Sequence, residues 1–322
     1  MSTMNRTSAP TMFLGKIWRN SGMLMVFVIL FALLSIFVPF FFTVRNMIGL
    51  ALSMATLGMV ACTMTFALAS GNFDLSVGSI LAFSGVTAAA VINVTGSTML
   101  GILAGLAGSM LIGLVNGTVI AKLKINALIT TLAMMQIVRG LAFIVTGGRA
   151  IGIGNADFFV LGTSTVAGIP MPIWIAVVYF VVFAAILNKT TYGRNTLAIG
   201  GNEEAARLSG INVDRIKVAI FSVQGLMTGF AGIVLASRMT SGQPNTSQGF
   251  ELTVISACVL GGVSLSGGIA SITGALVGVL ILGSVQNAMN LLNMPTFYQY
   301  VARGLILLAA VIFDTIKQGK IK

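Results

Sequence analysis

The sequence predicts an all-α integral membrane protein with about ten transmembrane helices. Of its 322 residues, 57% are hydrophobic and only 8% are charged, whereas soluble domains carry about 25% charged residues. The charge-free stretches from Asp74 to Lys122 and from Glu251 to Arg303 are each long enough for two spans, because one span needs about 20 apolar residues. Apolar and polar residues do not alternate, which argues against a membrane β-barrel.

Charged residues, glycine-rich turns and polar loops divide the apolar sequence into spans. The first apolar run follows basic residues and lacks a small-x-small cleavage site, so it is read as an uncleaved span. The longest polar connection, residues 146–171, separates spans 5 and 6. In order, the predicted spans are Met23–Phe42, Met47–Ser70, Leu75–Asn93, Met99–Ala121, Ile125–Val145, Pro172–Leu187, Val218–Ser237, Phe250–Leu265, Ile269–Leu291 and Thr296–Ile316.

The distribution of basic residues predicts the orientation. With the N-terminus in the cytoplasm, thirteen of the eighteen lysines and arginines lie in cytoplasmic segments and only three in external loops, as the positive-inside rule requires. Both termini are therefore expected in the cytoplasm. The chain is interpreted as one permease domain with a cytoplasmic tail at residues 1–20, a periplasmic loop at 146–171 and a cytoplasmic loop at 189–217.

Short sequence matches indicate an internal repeat. Phe73–Val77 is similar to Phe250–Val254, with an acid at the same position, and two further matches occur in the same order in both halves. Spans 2–5 thus correspond to spans 7–10. The offset of five spans makes the second copy inverted in the membrane, an arrangement typical of transporters whose path lies between the repeats.

A short capped helix is predicted in the loop at 189–217. Asn202 is a good N-cap, and Glu203 and Glu204 then lie in the first turn, where the helix dipole favours negative charge. Gly210 suits the left-handed position that ends a helix. A helix of about two turns is not stable alone in water, so we expect it to pack on other loops or on a partner protein.

Polar side chains within the spans are candidates for a transport path. Such groups usually face a cavity or another helix, and amides both donate and accept hydrogen bonds, which suits a neutral, hydroxyl-rich solute. Hydrogen bonding between helices is an equally good explanation. Arg139 and Arg303 lie in the outer halves of their spans, where snorkelling to the interface is expected. The amides proposed to line the path are Asn116, Gln136, Gln286, Asn287 and Asn290.

Asp74 and Glu251 have two interpretations. As helix-capping acids they would stabilise the positive ends of spans 3 and 8. As proton carriers they would instead support a proton-coupled secondary transporter of a small neutral solute. Capping is favoured.

Several functions are excluded by residue content. The chain has no histidine and no Gly-x-x-x-x-Gly-Lys-[Ser/Thr] motif, and Cys62 and Cys258 lie singly in apolar runs. No catalytic residues, metal ligands or cofactor of its own are therefore expected, and a membrane enzyme is a poor hypothesis. The net charge of +11 is explained by the cytoplasmic loops, so membrane lipid is an expected partner and nucleic acid is not.

Glu204-Ala205-Ala206-x-x-x-Gly210 resembles the EAA-x3-G signature of ABC importer permeases, although Ser222 and Val223 stand where that signature has Leu and Pro. Phe73–Gly78, Gly200–Arg207 and Val259–Ser264 extend the resemblance to the ribose/xylose/arabinose branch of that family over about residues 20–316. The resemblance implies that the short helix couples to an ATPase. The residues expected to contact it are Asn202, Glu203, Glu204, Ala205, Ala206, Arg207 and Gly210.

The same resemblance implies the remaining components of the transporter. It implies a homodimer in the bacterial inner membrane, a fused two-domain ATPase that binds ATP and magnesium on the inner face, and a periplasmic sugar-binding protein on the outer face. L-Arabinose or a related monosaccharide is the expected substrate. Arg149 and Arg238, in the external loops, are the candidates for docking the binding protein.

Overall fold

The computed structural model describes the backbone of residues 9–317 and the side chains of residues 22–312 and 315, and most of this part of the chain is helical. The helices are α1 (Ala9–Phe37), α2 (Val44–Ala69), α3 (Val77–Thr95), α4 (Thr98–Lys122), α5 (Ala127–Thr146), α6 (Val160–Thr163), α7 (Met171–Lys189), α8 (Thr191–Gly201), α9 (Glu203–Leu208), α10 (Val213–Met239), α11 (Phe250–Leu260), α12 (Ile272–Leu291) and α13 (Thr296–Lys317). A 3-10 turn at Ala156–Phe159 precedes α6.

Four two-residue strands lie in the loops. β1 (Ile151–Gly152) pairs antiparallel with β4 (Ser241–Gly242). β2 (Thr165–Val166) pairs antiparallel with β3 (Ile169–Pro170). The first pair joins the loop after α5 to the loop after α10.

The structure confirms a helical, multi-pass membrane architecture. Within the described part of the chain, seven helices are long and apolar enough to cross a membrane: α2, α3, α4, α5, α7, α10 and α12. They correspond to predicted spans 2–7 and 9. Shorter apolar helical stretches occupy the positions of the other three predicted spans, at Gly22–Phe37, Phe250–Leu260 and Thr296–Ile312.

Three predicted span boundaries differ from the helix ends by five residues. Span 7 was expected to begin at Val218, but α10 begins at Val213. Span 8 was expected to reach Leu265, but α11 ends at Leu260 after 11 residues, about 16 Å of helix, because Gly262 adopts a positive φ of 86° that reverses the chain. Span 1 was expected to end at Phe42, but α1 ends at Phe37. The same helix begins at Ala9, inside the predicted tail, and residues 1–8 of that tail lie outside the described residues.

The core is formed by α2, α3 and α10, which are mostly buried, whereas α4, α5 and α7 are mostly exposed. The exposed side chains of these outer helices include large apolar residues such as Leu111, Ile129 and Val181. In a membrane this surface faces lipid, which explains why the sequence lacks the amphipathic periodicity of a soluble helical protein.

Glycine lets α4 and α10 approach each other closely. A side chain on Gly113 would collide with the backbone of Phe221 and Gly225, and one on Gly225 would collide with the backbone of Ser109 and Gly113. Close backbone approach supplies the attraction between helices in lipid. Gly113 and Gly225 therefore serve packing between helices of this chain.

Helix contacts follow the predicted repeat. The pairs α3–α4, α3–α10, α4–α10 and α3–α5 are in contact, and so are their repeat equivalents α11–α12, α11–α2, α12–α2 and α11–α13. The helices that follow the matched acids also meet: the carboxylate of Glu251 and the carbonyl of Ser247 lie so close to Gly78 of α3 that no side chain would fit there.

By the predicted topology the loops form two groups, called here the outer end and the inner end, although Ser247 of the outer group reaches Gly78 at the start of α3. At the outer end (residues 95–97, 147–170 and 240–249), the Asn155 amide donates to Gly96 O at 3.0 Å and β1 pairs with β4. At the inner end (residues 69–76, 189–212 and 261–271), Gly268 N donates to Ala69 O at 2.9 Å. Segments predicted to share a membrane face are therefore in contact.

Candidate coupling site and transport path

The short helix α9 has the predicted N-terminal cap. The Asn202 side-chain oxygen accepts a hydrogen bond from Ala205 N at 2.9 Å, and Asn202 itself has extended backbone angles. Glu203 and Glu204 occupy the first turn, where their charge interacts favourably with the free amides. The cap therefore fixes where α9 begins.

The C-terminal end of α9 is a Schellman motif. Ile211 N donates to Ala206 O at 3.1 Å, and Gly210 N donates to Arg207 O at 3.1 Å. Gly210 has a φ of 85°, which costs a glycine little and other residues more. Both ends of α9 are thus set by local sequence, as predicted.

Ion pairs tie α9 to the first turn and a half of α10. Glu203 lies 2.6 Å from Lys217 and 3.5 Å from Arg207, and Arg207 lies 3.0 Å from Asp214. The hydrogen bond with Asp214 raises the pKa of the Arg207 guanidinium. Solvent screens exposed pairs of this kind, so they contribute little to stability and mainly orient the helix.

One side of α9 is buried and the other is free. Ala206 is buried against Ile199 of α8 and Val213 of α10. Glu204 and Leu208 lie four residues apart on the same side of the helix, and Leu208 is 84% exposed. Leu208 was missed as a candidate contact residue. The sequence signal that could have found it is an apolar residue one turn after an acid inside a polar loop.

Glycines allow α8 to pack closely on the inner end of the core. The last residue of α8 is followed directly by Asn202, the N-cap of α9. The prediction placed only one helix in this loop and missed α8. Side chains at Gly200, Gly267 or Gly268 would come within about 3 Å of neighbouring backbone from Ala69–Gly71 or from α8 itself. The end of α8 therefore packs backbone to backbone on α2 and on the loop between α11 and α12.

Most of the predicted path amides pair with other helices. Asn287 and Asn46 exchange two hydrogen bonds of 2.9 Å. Gln299 of α13 bonds both Gln286 and Asn290. These pairs join α12 to α2 and α13. Hydrogen bonding between helices is therefore observed for the three candidates on α12, Gln286, Asn287 and Asn290.

Asn116 and Gln136 lie apart from the three candidates on α12. Asn116 is fully buried and donates to Ser76 Oγ at 3.0 Å, beside Asp74. Gln136 lies on an exposed part of α5. The five predicted path residues therefore do not line one common space.

A cavity of about 340 Å³ lies between α2, α12, α13 and the start of α11. Gln286 is the one predicted path residue that lines it, and Arg303 is among the other polar residues at its wall. Arg303 was expected to snorkel, but its Nε is buried. Among the residues that the structure describes, no cluster of three or more His, Cys, Asp or Glu side chains could hold a metal ion.

Residues 46–311 match a protein family described as a branched-chain amino acid transport system / permease component. The matched range covers all seven helices of membrane-spanning length except the first two residues of α2. The chain belongs to this permease family.

Curated relatives of this permease carry sugar-transport names. It is 63% identical over 304 residues, which are 94% of this chain and 93% of the relative, to the L-arabinose transport system permease protein of Escherichia coli (strain K12). It is 56% identical to the L-arabinose ABC transporter permease protein of Azospirillum brasilense, covering 97% and 93% of the two chains. It is also 42% identical to the ribose import permease protein of Haemophilus influenzae, covering 89% and 90%.

The two central acids of the permease lie at helix starts. Asp74 is fully buried, and its Oδ1 accepts hydrogen bonds from Ser76 N at 2.9 Å and Ser76 Oγ at 2.5 Å, just before α3. Glu251 lies in the first turn of α11. Both positions fit the capping interpretation.

The two candidate docking arginines of the permease differ in their surroundings. Arg149 is exposed in the loop after α5. Arg238 is partly buried, and its guanidinium donates to Leu52 O at 3.1 Å. Arg139, expected to snorkel, instead donates to Pro244 O at 2.6 Å and Thr246 O at 2.8 Å, which holds the outer loop onto α5.

Proposed function

We propose that this chain is the membrane permease subunit of an ATP-driven importer that carries L-arabinose or a related monosaccharide into the cytoplasm. The observation that carries the proposal is the 63% identity, over 94% of the chain, to a protein named as an L-arabinose permease. Amides and hydroxyls predominate among the polar side chains near the cavity, which suits a neutral, hydroxyl-rich solute.

In this proposal α9 is the coupling helix. Its capped ends fix its length, and its free side presents Glu204, Ala205 and Leu208 to the cytoplasm. ATP and magnesium bind to the partner ATPase, because this sequence has no P-loop. Closure of the ATPase would push α9. The backbone contact between α8 and α2 would transmit this movement to the membrane-spanning helices.

The proposed membrane arrangement has ten spans in the bacterial inner membrane. The three shorter apolar helices α1, α11 and α13 complete the count, and spans 2–5 and 7–10 form an inverted repeat. Both termini are cytoplasmic, as supported by the thirteen basic residues assigned to that side. Residues 318–322 of the basic C-terminal tail lie outside the described residues.

The proposed partners occupy both faces of the membrane. The ATPase binds the inner end through α9, and a periplasmic sugar-binding protein docks on the outer end near Arg149. Two copies of this chain form a homodimer. Lipid covers the apolar sides of α4, α5 and α7, whose large exposed side chains support this placement.

Co-purification from native membranes tests the coupling role. The tagged chain should retain a protein that mass spectrometry identifies as a two-domain ATPase. A double variant with Glu204→Lys and Gly210→Asp should lose this partner while its membrane level is unchanged. Glu204→Gln is the matched control, because it keeps the size of the side chain and should retain the ATPase.

Energy coupling separates this proposal from a proton-coupled transporter. Uptake of labelled L-arabinose should continue when an uncoupler is added while ATP is held high. Uptake that collapses under these conditions, together with an ATPase retained equally by all variants, would favour proton transport through Asp74 or Glu251 instead.

A further inference from the structure

The cavity between α2, α11, α12 and α13 has the size of a small-ligand site. Its volume of about 340 Å³ lies at the lower end of the range for ligand pockets, about 300–1,000 Å³. Ser247, Gln248 and Phe250 line it, and it lies between helices of both predicted repeats, with α2 from the first and α11, α12 and α13 from the second. This is where a path between inverted repeats is expected.

The cavity wall combines polar groups with apolar surface. Ser53, Gln248, Thr253 and Gln286 contribute hydroxyl and amide groups, and Phe250 contributes an aromatic ring. A monosaccharide needs this combination, because its hydroxyls donate and accept hydrogen bonds while the C–H groups of its ring are apolar.

Gln286 retains an acceptor for a ligand. Its Nε2 donates to Gln299 Oε1, and no described donor bonds its own carbonyl oxygen. The bond to Gln299 fixes the side-chain amide while leaving this oxygen available. Gln286 therefore has a fixed orientation at the wall of the cavity.

Arg303 provides an uncompensated cation at the same wall. Its guanidinium lies 4.9 Å from the centre of the Tyr300 ring, and its Nε is buried without a hydrogen-bond partner. No carboxylate among the described side chains forms an ion pair with it. A charged group inside the membrane is costly and marks a functional position, and a guanidinium offers five donors to a ligand.

We infer that this cavity is a binding site for the transported monosaccharide within the permease, with Gln286 and Arg303 bonding its hydroxyls. The identity of the sugar rests on the proposed function. A lipid headgroup is the competing occupant, but four neutral polar side chains beside one cation favour a neutral polyol over a phosphate.

Cysteine labelling with sugar protection tests this inference. Cys62 and Cys258 are buried, so an introduced cysteine should be the main site of alkylation. Thr253→Cys places this thiol at the cavity wall, and Gln248→Cys is a second position. Both variants are labelled in the complete transporter in membrane vesicles. L-Arabinose at about four times its Kd should slow alkylation there about five-fold, because about one-fifth of the sites remain free. Lys122→Cys, at an exposed position away from the cavity, is the control, and its labelling should be unchanged.

Substitutions at the wall then test the two named contacts. In the Thr253→Cys background, Gln286→Leu should raise the half-protecting concentration of L-arabinose about five-fold, and Arg303→Met about ten-fold or more. Gln136→Leu, a glutamine of α5 away from the cavity, should leave it unchanged. ATPase co-purification of the same variants should also be unchanged.

The outcomes separate the inference from the proposed function. Labelling that is insensitive to L-arabinose at both cavity positions overturns the inference, even when ATPase co-purification and uptake are normal. Protection by added phosphatidylglycerol vesicles but not by sugar also overturns it, and assigns the cavity to a lipid headgroup. Loss of ATPase co-purification in the parent chain would count against the proposed function and not against the cavity.

Discussion

Gly200, in the last turn of α8, lies directly against the backbone carbonyl of Ala69 at the end of α2. A side chain on Gly200 would collide with that carbonyl and with the Gly268 amide that donates to it at 2.9 Å. The contact involves backbone atoms of α8, α2 and the loop between α11 and α12. Because Gly200 lies two residues before Asn202, which caps α9, any movement of α9 would reach the core without a flexible side chain between them.

We therefore predict that Gly200→Ala uncouples transport from the ATPase. The added methyl group would displace α8 from α2, and overpacking of this kind costs about 1–3 kcal/mol. ATP-driven uptake of labelled L-arabinose into vesicles should fall about ten-fold or more. ATPase co-purification should be retained, because the free side of α9 is unchanged.

Gly201→Ala is the matched control for this prediction. It makes the same change in the next residue of the same helix, but a side chain there would meet open space. Its uptake should equal that of the parent chain. Equal uptake by both variants would show that the close contact at Gly200 does not transmit the movement.

The cap of α9 leads to a second prediction. Asn202→Ala removes the acceptor for Ala205 N, and loss of an N-cap costs about 0.5–2 kcal/mol. If α9 opens locally, hydrogen exchange at the Ala205 amide should become about 2- to 30-fold faster. Asn202→Asp keeps the acceptor and should exchange at the parent rate. A parent rate in the alanine variant would mean that tertiary contacts hold α9 without the cap.

The ends of α9 could be predicted from sequence because each depends on a few neighbouring residues. The Asn202 cap bonds an amide three residues away, and the Gly210 motif closes within six residues. The apolar spans could also be predicted, since a helix that satisfies its own backbone groups is required wherever the chain crosses lipid. These features need no knowledge of distant contacts.

Features that depend on distant contacts were missed. The sequence predicts Gly200 in a polar loop. The structure requires glycine there, because any side chain would collide with Ala69, which lies 131 positions earlier in the sequence. The sequence predicts Gly261 and Gly262 in the interior of a span, yet α11 ends there, because Gly262 adopts a positive φ, and Gly261 packs on Gly274. An apolar glycine pair is equally compatible with a continuous helix and a break, so the sequence alone does not decide.

The Asn46–Asn287 pair gives a third prediction. Each amide exchanges one hydrogen bond of 2.9 Å with the other, so Asn46→Leu or Asn287→Leu alone should destabilise the folded permease by about 1–3 kcal/mol. The double variant should be less destabilised than the sum, with a coupling of about 0.6–1.7 kcal/mol. Unfolding in detergent measures all three variants.

Gln136→Leu serves as the reference for that cycle, because Gln136 is exposed on α5 and should change stability by no more than about 0.5 kcal/mol. Strictly additive effects of the two leucines would mean that the amides act independently.

A fourth prediction concerns docking of the sugar-binding protein at the outer end. Arg149 is exposed, so Arg149→Glu should weaken docking through charge alone, and the difference from the parent chain should shrink as salt is raised from 0.01 to about 1 M. Arg149→Lys keeps the charge and should dock normally. Affinity is measured by titrating the binding protein onto the permease in nanodiscs.

Arg238 should behave differently, because its guanidinium donates to Leu52 O and is partly buried. Arg238→Glu leaves that carbonyl without its donor and places an acid beside it, so thermal stability should fall, with any loss of docking independent of salt. If Arg238→Glu instead left stability unchanged and weakened docking only at low salt, Arg238 would belong to the docking surface, and its bond to α2 would contribute little to the fold.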